Sequence, residues 1–270
     1  DGGQPINRAG QIRAGPGEQG AGGNLKINSA GMLDNSQGGK LVADTALAVS
    51  AATLDNTDGQ ATGRQASIDT RGGALTNVRG TLASTQGNFT LNTGALDNSA
   101  GFIGAQGDLQ ATTAAISNGS GGAIGANGKL SIDTHGNGFD NRGGRTQARG
   151  DARIDAGQID NSSGGLIRSG ASATLNAASL LNRDTLGSEQ GIEAQGLAIK
   201  AGSIDNTRGA IRAAQSATLA SNGLVENSAG LMSSQGDLSL VDSQGAGGAD
   251  PAAKSLAVIN TGGPQVANQD

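Results

Sequence analysis

Residues 96–118 read LDNSAGFIGAQGDLQATTAAISN. The stretch opens on an aliphatic residue, a short polar residue and Asn (Leu96-Asp97-Asn98) and closes on the same triplet, Ile116-Ser117-Asn118. The triplet recurs outward in both directions. Before it stand Leu33-Asp34-Asn35, Leu54-Asp55-Asn56 and Leu75-Thr76-Asn77. After it come Phe139-Asp140-Asn141, Ile159-Asp160-Asn161, Leu180-Leu181-Asn182, Ile204-Asp205-Asn206 and Val225-Glu226-Asn227. Successive asparagines are 21, 21, 21, 20, 23, 20, 21, 24 and 21 residues apart, and Asn7 marks an earlier coil 28 residues before Asn35. A fixed period of this length is the mark of a solenoid.

The order of features inside a repeat is also fixed. A glycine turn such as Gly38-Gly39 or Gly164-Gly165 follows the Asn, then an aliphatic-x-small unit such as Ile103-Gly104-Ala105 or Ile211-Arg212-Ala213. A polar turn leads to a second alternating pair, as in Phe89/Leu91, Leu130/Ile132 and Leu197/Ile199. Residues two apart share one side of a strand, so each repeat supplies three very short strands. Helical spacing is absent, and glycines this frequent would each cost about 1 kcal/mol in a helix interior. Three such strands hold no core alone and are stable only when coil stacks on coil. The expected fold is therefore an all-β parallel β-helix. Crossover chirality favours the right-handed sense, with about eleven coils and a length of roughly 50 Å at about 4.8 Å per coil.

Alternation places Leu inward, Asp outward and Asn inward again. Stacking then aligns Asn35, Asn56, Asn77, Asn98, Asn118, Asn141, Asn161, Asn182, Asn206 and Asn227 in a column whose amides can bond from coil to coil. The outward Asp positions read as a solvated face; the Gly-Gly-x-Gly-x-Asp calcium repeat does not recur. Residues 1–242 form the solenoid, with an insertion in the first coil at about 15–21. Residues 243–270 read as a degenerate final coil or a loosely held tail.

Composition narrows the function. The chain has 270 residues with 48 Gly, 3 Phe, 1 His and neither Cys, Trp nor Tyr. Paired imidazoles, thiol chemistry and cysteine metal sites are excluded, so neither cofactor nor metal is expected. The scarcity of aromatics argues against a platform for stacking sugars or bases. A net charge of −5 gives no attraction for nucleic acid. No apolar run is long enough to span a bilayer, so membrane insertion is not expected. With Asp1 first and no signal peptide, the sequence reads as an interior piece of a longer exported protein.

The succession of aliphatic-Asp-Asn, Gly-Gly turn, Ile-x-Ala, Gly-Asp-Leu and Leu-x-Leu resembles the haemagglutinin repeats of filamentous haemagglutinin-like exoproteins, over about residues 6 to 242. The resemblance implies a right-handed β-helical shaft, secreted through an outer-membrane two-partner transporter and displayed on a Gram-negative surface. The amino-terminal domain that engages such a transporter is not in this sequence. Adhesins and contact-dependent growth-inhibition exoproteins share these repeats, so a structural adhesive shaft and the shaft of a toxin-delivery protein both fit. An enzyme fits poorly. β-Helix lyases and hydrolases need long loops around paired carboxylates, and here the loops are short.

Departures from the repeat are the places to look for chemistry. Extra residues enter near Gly15–Gly20, near His135-Gly136-Asn137-Gly138 and near Arg183–Glu189; all read as tolerated surface loops, and His135 has no partner for catalysis. Arg149-Gly150-Asp151 is an integrin-type tripeptide. Gly-Asp recurs at the same turn in Gly107-Asp108 and Gly236-Asp237, so only Arg149 is new there. Arg142, Arg145, Arg149 and Arg153 crowd into twelve residues and could hold a sulfated glycan. Asp140, Asp151 and Asp155 beside them favour a self-compensated face instead.

Overall fold

The computed structural model describes residues 4–15, 22–243 and 256–262. All 30 strands pair in parallel and none of the described residues is helical. Most of the first-coil insertion and of the carboxy-terminal segment lies outside the described residues. Each coil lays down three strands in turn, on three faces of a continuous solenoid. The first face is an 11-stranded sheet, running from Gln11–Ala14 through Thr81–Ser84 and Arg145–Ala148 to Leu231–Ser234. The other two faces share a 19-stranded sheet. They are joined because Ala152–Asp160, Ser172–Leu181 and Gly196–Asp205 run straight across both.

Pairing is in register from coil to coil, so every inward side chain sits on its equivalent. Leu82, Ile103 and Ile124 stack on the first face, Leu91, Ala111 and Ile132 on the second, and Leu54, Leu75, Leu96 and Ile116 on the third. All these side chains are buried. Phe89 and Phe139 fill the core as well. Burying each such Leu, Ile or Phe side chain stabilises the rod by about 1.5–3 kcal/mol.

The corner from third face to first is built on the asparagines. Asn7 is 7% exposed, Asn227 7%, and Asn35 through Asn206 are 0% exposed. Each donates its Nδ2–H to the Oδ1 of the next, from Asn7→Asn35 at 2.7 Å through Asn98→Asn118 at 2.7 Å to Asn206→Asn227 at 2.6 Å. A second Nδ2–H goes to a backbone carbonyl of the next coil, as from Asn98 to Ala123 at 3.2 Å. Residues 257–259 add another strand to the third face against Leu224–Glu226, and Asn227 then donates to Asn260 at 3.0 Å.

The backbone turns tightly after each asparagine. Gly59 N–H donates to the Asn56 carbonyl at 2.9 Å, and the left-handed conformation falls on the residue between, Asp58, at φ 56°. Gly59 is needed for a different reason. A Cβ there would lie 2.1 Å from the Asn35 carbonyl oxygen of the preceding coil. The outward Asp is also a turn element and not merely solvated. Asp55 Oδ1 accepts the Thr57 N–H at 2.9 Å, Asp97 that of Ser99 at 2.9 Å and Asp205 that of Thr207 at 3.0 Å, which are Asx turns.

The other corners use smaller residues. Ser84 Oγ donates to the Gly87 carbonyl at 2.7 Å between the first and second faces, and Thr134 Oγ1 to the Asn137 carbonyl at 2.6 Å between the second and third. Thr113, in the same column, is the exception: its buried Oγ1 has no partner among the described residues.

These contacts set three expectations for stability. Asn98→Ala leaves the Asn77 amide without its acceptor and the Asn118 oxygen without its donor; denaturant melts should show a loss of about 1–3 kcal/mol. An unchanged curve would mean that the column adds nothing net. Thr113→Val removes an unpaired buried hydroxyl and should raise the melting temperature, by a free energy of about 1 kcal/mol. The third concerns acid. Arg142 donates to both Asp140 oxygens, at 3.0 and 2.6 Å, and holds that carboxyl below its ordinary 3.8 against a smaller effect of burial. A lowered folded-state pKa stabilises above the ordinary value and is lost as pH falls through the folded one. The pair is surface-exposed, so it is worth less than about 1 kcal/mol. Asp140→Asn should therefore lose less stability than wild type between neutral pH and about pH 3, compared by calorimetry; parallel losses would assign the acid sensitivity elsewhere.

Candidate functional site

Arg149-Gly150-Asp151 occupies the corner between the first-face strand Arg145–Ala148 and the second-face strand that begins at Ala152. Arg149 and Asp151 are exposed. The tripeptide is no projecting loop, because its backbone belongs to the coil-to-coil ladder. Arg149 N–H donates to the Ala126 carbonyl and Gly150 N–H to that of Gly128, both at 3.0 Å, while the Asp151 carbonyl accepts Leu130 N–H at 2.9 Å. The Asp151 carboxylate accepts the Ser172 N–H at 3.3 Å and lies 3.6 Å from Lys129 Nζ. Asn88 and Asp108 accept the N–H of Asp108 and Lys129 in the same way, at 2.9 and 2.8 Å. The recurrent Gly-Asp thus caps the next coil. That bond explains the repetition of Asp at this turn without reference to any receptor.

The four neighbouring arginines do not converge. Arg145 belongs to a first-face strand and Arg153 to a second-face strand, while Arg142 and Arg149 stand at two different corners. Arg142 pairs with Asp140 at 2.6 Å, Arg153 with Asp155 at 2.6 Å and Arg145 with Glu189 at 3.1 Å. Crowding in sequence becomes a girdle in space, because a stretch of twelve residues wraps more than half of a coil. Arg149 has neither an ion pair nor a hydrogen bond from its guanidinium among the described residues.

Of the insertions, His135 is exposed at φ 51°, and its Nδ1 lies 3.3 Å from the Thr113 carbonyl. The segment from Asp184 to Gln190 is folded over the first face. Arg212 donates to the Leu186 and Gln190 carbonyls at 3.3 and 3.1 Å, and Glu189 reaches Arg145 and Arg168 at 3.1 and 3.9 Å. Among the described residues no group of three or more His, Asp or Glu could hold a metal ion.

One surface feature corrects the sequence reading. Phe102 is 46% exposed, so an aromatic ring does stand on the surface of the rod. The ring reaches over Gly104 of its own strand, where a Cβ would lie 2.4 Å from the Phe102 Cζ. The signal was present in the alternation, since Ile103 inward requires Phe102 outward. The ring stands in a shallow open groove of about 580 Å³ on the first face, with Gly125, Gln106, Asn127 and Arg149 along it.

No curated protein and no solved structure matches the chain. The haemagglutinin-repeat family model matches it four times, at residues 20–78, 65–158, 125–194 and 172–263. The matches overlap and run continuously through the coils whose stacking, asparagine column and turns are described above. This chain belongs to the haemagglutinin-repeat family.

Proposed function

We propose that the chain is a segment of the stiff shaft of a large secreted exoprotein, displayed on a Gram-negative cell surface and acting in attachment to host cells. The observation that carries this reading is the uninterrupted stacking. Three faces and one amide column continue through every described coil, each coil touching chiefly its neighbours, which is the mechanics of a spacer. Family membership supports secretion and surface display. Export would run through an outer-membrane two-partner transporter, engaged by a domain outside this sequence. A contact-dependent growth-inhibition exoprotein would use the same shaft and differ in its terminal domain.

Direct contact with an integrin-type receptor through Arg149-Gly150-Asp151, or with a sulfated glycan through Arg142, Arg145, Arg149 and Arg153, is the second reading. Exposure of Arg149 and Asp151 at one corner favours the former. The capped Asp151 carboxylate and the dispersed, paired arginines favour the spacer.

Two measurements separate these readings. Deleting residues 78–98, one 21-residue period, joins Asn77 to Ser99 and should leave a cooperatively folded rod about 4.8 Å shorter by small-angle scattering; failure to fold would show that the coils are not interchangeable spacers. Integrin-bearing cells should adhere equally, or not at all, to wild type and Asp151→Glu in excess heparin. Adhesion lost in the variant alone would make the tripeptide a receptor site and this segment an active part of the adhesin.

A further inference from the structure

The groove beside Phe102 lies along an edge with its own charge pattern. At the corner between the first and second faces, in-register strands Gln60–Gly63, Thr81–Ser84, Phe102–Ala105, Ala123–Ala126 and Arg145–Ala148 are each followed by one outward residue. These residues are Arg64, Thr85, Gln106, Asn127 and Arg149, and all five are exposed. They make a straight row of about 19 Å, four coil rises of about 4.8 Å. The carboxamides of Gln106 and Asn127 touch within the row, Asn127 donating to Gln106.

Two arginines of the row are unusual. Most arginines of this chain are neutralised by a carboxylate, and Arg71 donates to Ser29, Asn28 and Ser50. Arg64 and Arg149 alone have neither an ion pair nor a hydrogen bond from the guanidinium among the described residues. In a protein of net charge −5, the two unpaired forks flank Thr85, Gln106 and Asn127, while the row itself continues to Asp44, which pairs with Arg13, on one side and to Gly170 on the other.

We infer that this edge binds a linear uronate polysaccharide, lying along the rod axis in the groove lined by Phe102, Thr85, Gln106, Asn127 and Arg149 and reaching Arg64 one coil beyond it. Each part of the site suits that ligand. An open, straight groove takes an extended polymer rather than a compact molecule. One coil rise is close to the length of a pyranose unit, so successive sugars meet successive outward residues. The Phe102 ring, nearly half exposed over Gly104, offers apolar surface to a pyranose. Carboxamides donate to and accept from vicinal hydroxyls. Each free guanidinium can take a carboxylate through two parallel N–H···O bonds. The site shares Arg149 with the girdle of arginines but uses none of Arg142, Arg145 and Arg153, and it does not rest on the shaft reading.

The probe is an oligogalacturonate of several residues, titrated against the folded chain by calorimetry at moderate salt. It should bind, and a neutral malto-oligosaccharide of equal length should bind at least about tenfold more weakly. Phe102→Ala and the double variant Arg64→Gln/Arg149→Gln should each weaken the uronate about tenfold or more. Both substitutions are on exposed side chains, and circular dichroism verifies the fold. Lys200→Gln, on the second face, should change nothing. Absence of binding at millimolar ligand would overturn the inference. So would binding indifferent to both variants, or equal binding by an oligoglutamate of matching charge, which would reduce the edge to unspecific electrostatics.

Discussion

The constraint on which everything else rests is that each coil must lie on the next at a single strand spacing. Every side chain is then placed over its own equivalent, and only residues that tolerate their own likeness about 4.8 Å away can be repeated. Asn meets that condition at a buried corner. Its amide carries a donor and an acceptor aimed opposite ways along the axis, so a column of them is satisfied throughout with one sense of bonding. The second N–H reaches a backbone carbonyl of the following coil and leaves no valence idle. A carboxylate in the same place would stack like charges, and a hydroxyl has one donor where two are used. Even Thr146, a polar intruder in the aliphatic stack, is accommodated by donating to Asn141 Oδ1 at 3.0 Å.

The same constraint separates polar groups that bond between coils from those that bond within one. Asparagines and the Gly-Asp caps reach across. The Asx turns and corner hydroxyls such as Ser84 and Thr134 close on their own turn, although Ser169, Ser221 and Ser234 also reach a carbonyl of the preceding coil. Cross-coil bonds fix register, since a slip by one residue would set each Asn opposite an outward neighbour such as Asp97 or Ser99 and leave its buried amide unpaired. Within-turn bonds fix only shape, so those positions accept Ala, Gly, Ser or Thr, as Ala43, Gly63, Ser84 and Ala105 do at one corner. Arg71 adds a staple of a third kind, spanning from its own coil to Ser50, Ser29 and Asn28.

Much of this was legible in the sequence because stacking writes itself as a period. Leu96, Asp97 and Asn98 determine their surroundings by recurring, and inward or outward orientation follows from alternation at every strand. What was not legible depends on distances between coils. That the Asp before each Asn caps a turn, or that the Gly three residues after Asn avoids a neighbouring carbonyl, follows only once two coils are superposed. The arginine run from Arg142 to Arg153 misleads for the same reason. Proximity in sequence is proximity around the girth of a solenoid, and a surface patch is made by residues one period apart.

That geometric rule also governs where such a rod can do chemistry. A ligand that lies along the axis reads one residue per coil, so its site appears in sequence as sparse, equivalent positions and never as a motif. Arg149-Gly150-Asp151 is conspicuous in sequence, yet its Asp is engaged in capping and its Arg shares an edge with Arg64, far away in the chain. Regularity makes most of the surface self-neutralising, as the ladder of Arg168, Glu193 and Arg212 shows on the first face. Against that background an unpaired, exposed guanidinium is open to a ligand's carboxylate. Two such cations on one edge, with the exposed aromatic ring between their coils, mark a direction for a ligand: parallel to the strand stacking and across the coils.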